Sequence, residues 1–92
     1  MAHRDDILDE IRAERERQVM KYGFDVTHDD QHVHKELGMA AATYASDNEM
    51  MWPWKGKGWD YRGMKDSYRR RLVTAGSLIL AEIERLDRAA QS

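Results

Sequence analysis

The chain has 92 residues, 41% hydrophobic and 35% charged, with a net charge of −2, which describes one small globular domain and excludes a disordered chain. A domain of this size buries only about 60–65% of its unfolded surface, so a homo-oligomer is expected. Zero cysteines exclude a disulfide framework and a thiolate metal site, no uncharged run nears the about 20 residues of a membrane span, and no basic start precedes an apolar stretch, so the expected location is the cytoplasm.

The spacing predicts a first helix over about residues 4–22, with Ile7, Leu8, Ile11, Val19 and Tyr22 on one stripe. Asp5, Asp6, Asp9 and Glu10 suit its positive end, and Gly23 suits the position after its last turn. Glu14, Arg15 and Gln18 fall inside the apolar stripe, whereas Met20 falls opposite. Charges placed there need partners or water, so this face reads either as a salt-bridge network or as the wall of a polar pocket.

A second helix is predicted over about residues 29–47, capped by Thr27, Asp29 or Asp30, with Val33, Leu37, Ala41 and Tyr44 as its stripe. Gly38, Ala40, Ala41, Ala42 and Ala45 would let another helix approach closely. His28, Asp29, Asp30, His32 and His34 crowd its start. Asp30 and His34 have the i, i+4 spacing of paired ligands, while His32 and His34 lie about 200° apart on a helix, so capping and solvation are the favoured reading.

Helical periodicity then stops over residues 48–65, where Pro53, Gly56, Gly58 and Gly63 fall. A connection this long in so small a domain is often functional. A third helix is predicted over about residues 66–89, capped by Asp66 or Ser67, with Leu72, Ala75, Gly76, Ile79, Ile83 and Leu86 inward. Glu82 borders that stripe, Asp87 flanks its other edge and Glu84 points to solvent. No period-2 segment occurs, and the expected fold is one all-α, three-helix domain over residues 1–92.

The charge is uneven. Residues 1–47 hold 6 basic and 11 acidic side chains, whereas residues 48–71 hold 7 basic and 3 acidic, together with all three tryptophans. A binder of long nucleic acid would be basic along a whole face. Trp52, Trp54, Lys55, Lys57, Trp59, Arg62, Arg69, Arg70 and Arg71 instead suit a compact anion with an aromatic part, since indole stacks on bases and guanidinium grips phosphate. With Glu14, Arg15 and Gln18 they form the expected ligand site. The competing reading has the tryptophans fold the loop back onto the bundle.

Glu14-Arg15-x-x-Gln18, His28-Asp29-Asp30-x-His32, Glu36-Leu37, Trp52-Pro53-Trp54 and the run from Leu72 to Arg88 together resemble a group of short phage and prophage proteins. That resemblance implies a viral origin and action inside an infected or lysogenic bacterial cell. More distantly, Glu36 and Glu84-Arg85-Leu86-Asp87 look like the carboxylate motifs of the MazG-like all-α nucleoside-triphosphate pyrophosphatases, which hold Mg²⁺ with E-x-x-E and E-x-x-D. Here Met39 stands where the second glutamate of the first motif belongs.

The first expectation is therefore a non-catalytic protein without a cofactor that binds a small phosphorylated nucleotide. Its concrete form is a sponge for a host immune signal of the cyclic oligonucleotide or cyclic ADP-ribose type. The alternatives are a Mg²⁺-dependent pyrophosphohydrolase with Glu36, Glu82 and Asp87 as ligands, and a protein–protein inhibitor working through the tryptophan-rich loop.

Overall fold

The computed structural model describes residues 3–23, 25–54 and 66–91, with Tyr22 and Glu49 as backbone only. Among the described residues four helices form, α1 (His3–Tyr22), α2 (Val26–Asp30), α3 (Glu36–Ser46) and α4 (Tyr68–Gln91), with a 3₁₀ turn at Glu49–Met51. Among the described residues no strand forms, so the all-α expectation holds.

Gly23 ends α1 as expected, with φ +70° and its N–H donated to the Val19 carbonyl at 3.0 Å. The helix predicted over residues 29–47 is instead two helices. Asp25 caps the first of them, its carboxylate accepting the His28 N–H at 3.0 Å. Residues 31–35 lie outside both helices, and Lys35 enters α3 in the left-handed region with φ 68°. Val33, expected in the core, is therefore exposed, while Leu37, Ala41 and Tyr44 are buried. Ser67 starts α4, accepting the Arg70 N–H on its hydroxyl and the Arg71 N–H on its carbonyl.

The core lies between α3 and α4. Leu37, Ala40, Ala41 and Tyr44 pack with Ala75, Leu78 and Ala81, and Trp52 and Trp54 close one side. The alanines on both helices allow the close approach that the small-residue run predicts. Tyr44, Trp52 and Trp54 meet edge to face at centroid distances of 5.9 and 5.1 Å.

The inward face of α4 differs from the expected one. Of Leu72, Ala75, Gly76, Ile79, Ile83 and Leu86, Ala75 is buried, whereas Leu72, Ile79, Ile83 and Leu86 are 41–51% exposed. Arg71, Val73, Ser77, Leu78, Ala81 and Arg85 are buried beside it. Small side chains let α4 seat closely on α3, and the two arginines on this face reach polar groups. Arg71 donates to the Tyr44 carbonyl at 3.2 Å and pairs with Asp47. On its other side α4 meets α1, where Ile11 lies over Gly76.

Candidate functional site

The inward polar face of α1 is real. Glu14 and Gln18 are buried, and Arg15 is largely so. Glu14 accepts two hydrogen bonds from Arg17 at 2.8 and 2.9 Å and one from Gln18 at 3.1 Å, and it pairs with Arg70. Gln18 also donates to the Ser77 hydroxyl at 2.8 Å. Burial works to raise the Glu14 carboxyl, but the Arg17 hydrogen bond and the charges of Arg17 and Arg70 outweigh it, so the group lies below its usual 4.5. These contacts join α1 to α4. They occupy the groups that the sequence offered to a ligand.

Further along the molecule, segments distant in sequence converge. Arg15 of α1 pairs with the buried Asp29 of α2 and stands 3.7 Å from Glu84 of α4. His28 Nδ1 is 3.1 Å from Asp29 Oδ1, and His28 Nε2 is 3.4 Å from His32 Nε2. His32 Nδ1 is 3.5 Å from Glu36 Oε2, and the His32 ring meets Trp54 edge-on at 5.2 Å. Burial and the neighbouring His28 keep the His32 imidazole below its usual 6.5, against the pull of Glu36 and Asp29. On α4, Arg85 clasps Glu82 at 2.6 and 3.2 Å, and Arg88 reaches Asp30 at 2.8 Å. The Glu82 hydrogen bond raises Arg85 further, helped by the charges of Asp30 and Glu36. A cavity of about 230 Å³ opens here, lined by Asp30, Val33, Arg85, Arg88 and Ala89.

This junction unites the His-Asp-Asp-x-His segment, Glu36, Arg15 and the Glu82-to-Arg88 stretch. It does not assemble the expected ligand set as drawn. Trp52 and Trp54 lie in the core, where packing uses their rings. Arg69 forms an exposed pair with Glu10 at 2.6 and 3.0 Å, Arg70 serves Glu14, and Arg71 serves Asp47 and the Tyr44 carbonyl. Lys55, Lys57, Trp59 and Arg62 lie outside the described residues.

The expected metal set does not assemble either. Glu82 faces Arg85, Glu36 faces His32, and Asp87 is exposed. Among the described residues no three His, Cys, Asp or Glu side chains are grouped to hold an ion. Arg85 supplies the positive charge beside Glu82, and the His32 imidazole stands beside Glu36.

Sequence reading missed Arg85, whose spacing of three from Glu82 was the available signal. It also missed the pairing of His28 with His32, which have the same spacing of four as Asp30 and His34. The break after Asp30 turns His34 outward and keeps His28 and His32 together. Compared with known proteins, the chain matches no family model, no curated protein and no solved structure. No helix among the described residues is long and apolar enough to cross a membrane.

Proposed function

We propose that this chain is a non-catalytic helical binding module for a small phosphorylated nucleotide. The observation that carries this reading is the open depression where Arg85, Arg88 and the Asp30 carboxylate held by Arg88 meet. The Arg88–Asp30 pair is exposed, and exposed pairs contribute only about 0–1 kcal/mol. A phosphate can therefore replace Asp30 on Arg88 at little cost, and its extra charge and fixed oxygens favour the exchange. Tight holding needs no general base, which suits a sponge that removes a host immune nucleotide, as the resemblance to phage proteins suggests.

The hydrolytic alternative would need Glu36 and Glu82 to leave His32 and Arg85 for an ion. The inhibitor alternative loses two of its three tryptophans to the core. Binding by the native chain is tested by calorimetry with linear and cyclic nucleotides. Arg88→Ala is expected to weaken binding about tenfold or more, the loss of one charge-assisted contact. Equal affinity of the wild type and this variant would overturn the assignment.

Self-association is a second part of the reading, carried by a different observation. Leu72, Ile79, Ile83 and Leu86 follow steps of seven, four and three along the half-exposed face of α4, the spacing of a helix–helix seam. We expect the chain to pair through this face. Ile83→Lys should shift sedimentation toward the monomer while leaving the helical spectrum intact; an unchanged sedimentation profile would remove α4 as the seam.

A further inference from the structure

We propose that His28 and His32 form a two-histidine site for a transition-metal dication of the zinc class, a site independent of the nucleotide reading. The evidence is the geometry of the two rings. Their Nε2 atoms lie 3.4 Å apart. Two zinc–imidazole bonds of about 2.0–2.1 Å, opened to a tetrahedral angle of about 109°, subtend about 3.4 Å. The separation matches that of two ligands of one ion.

The far side of each ring is prepared in the way metal-binding imidazoles are. Asp29 Oδ1 stands 3.1 Å from His28 Nδ1, and Glu36 Oε2 stands 3.5 Å from His32 Nδ1. A carboxylate there fixes the proton on Nδ1, so the Nε2 lone pair is the one presented. Both carboxylates are themselves held. Asp29 is buried against Arg15, and Glu36 accepts the His34 N–H at 2.5 Å. Trp54 steadies the His32 ring. The rings remain 21% and 16% exposed, so an ion can reach them.

Imidazole nitrogen selects Zn²⁺, Ni²⁺, Co²⁺ or Cu²⁺ over Mg²⁺ and Ca²⁺, which require oxygen. Two protein ligands leave the other coordination positions to water. Neither Glu36 nor Asp29 leaves its histidine in this arrangement; both serve as supports.

The test uses the full chain, stripped of metal by a chelator and titrated with Zn²⁺ in a calorimeter, with Mg²⁺ as the comparison ion. One Zn²⁺ per chain and no heat from Mg²⁺ are expected. His28→Gln and His32→Gln should each weaken Zn²⁺ binding about tenfold or more, and the exposed His34→Gln should leave it unchanged. Loss of a support, Glu36→Gln, should also weaken it, by about tenfold. In the wild type, imidazole nitrogen resonances should move at Nε2 of both rings on adding Zn²⁺, a readout that survives any folding defect of the variants. Absence of Zn²⁺ binding, coordination through Nδ1, or binding that follows His34 would overturn the site.

Discussion

The helix α4 makes two long contacts of opposite chemistry. Toward α3 it presents Ala75, Leu78 and Ala81 to Leu37, Ala40 and Ala41, a surface without direction whose strength follows the area removed from water. Toward α1 it presents Ser77 and Arg70 to Gln18 and Glu14, a surface of directed hydrogen bonds and ion pairs. The junction at Arg15, Asp29 and Glu84 extends that second kind of contact. The apolar contact supplies cohesion and tolerates changes of shape. The polar contact contributes less net energy, because desolvation offsets its attraction, but it is intolerant of losing one member. Charged side chains on the polar half are already inside and already oriented.

Breaking the polar half should cost most where a largely buried charge loses its nearest partner. Asp29→Ala takes the buried carboxylate from Arg15 and is expected to lower unfolding free energy by about 3–5 kcal/mol in denaturant titration. A loss below about 1 kcal/mol would show that Arg15 escapes to water or is satisfied by Glu84 alone. On the apolar half, Leu37→Ala should cost about 3 kcal/mol through lost burial and an unfilled cavity. A larger effect there than at Asp29 would invert the comparison.

Acid should act on the polar half through Glu14. The folded Glu14 carboxyl lies below its usual 4.5, so its contribution is complete above pH 4.5 and is lost as pH falls through the lower folded value. The stability gap between wild type and Glu14→Gln should thus close with falling pH below 4.5. A gap that stays constant would contradict the assignment. The smallest change tests neither contact but the end of α1. Gly23→Ala places a side chain at φ +70° and should cost about 1 kcal/mol. Thermal unfolding reads it, and a neutral result would mean that the turn shifts freely.

The helices were legible where a cap and a stripe agreed, as at Gly23 and Ser67, and the polar intrusion of Glu14, Arg15 and Gln18 announced a buried network. The break between α2 and α3 was not legible. Asp25, Thr27, Asp29 and Asp30 all resemble caps; the hydrogen bond from the His28 N–H selects Asp25, and α3 begins only after the left-handed Lys35. The face of α4 was misread for a physical reason. Periodicity ranks side chains by hydrophobicity, so it selected the large leucine and isoleucine row, whereas close packing on the alanines of α3 favoured the smaller row beside it. The convergence of His28, His32, Glu36, Arg85 and Arg88 depends on tertiary placement, which three amphipathic segments do not encode.

On the proposed reading the charged junction holds a phosphorylated nucleotide without cleaving it, since Arg85 and His32 already engage Glu82 and Glu36. Incubating the chain with a mixture of nucleotides and Mg²⁺, denaturing it and weighing what is released decides the matter. A retained nucleotide of unchanged mass is expected; release of monophosphate and pyrophosphate would overturn the binding reading.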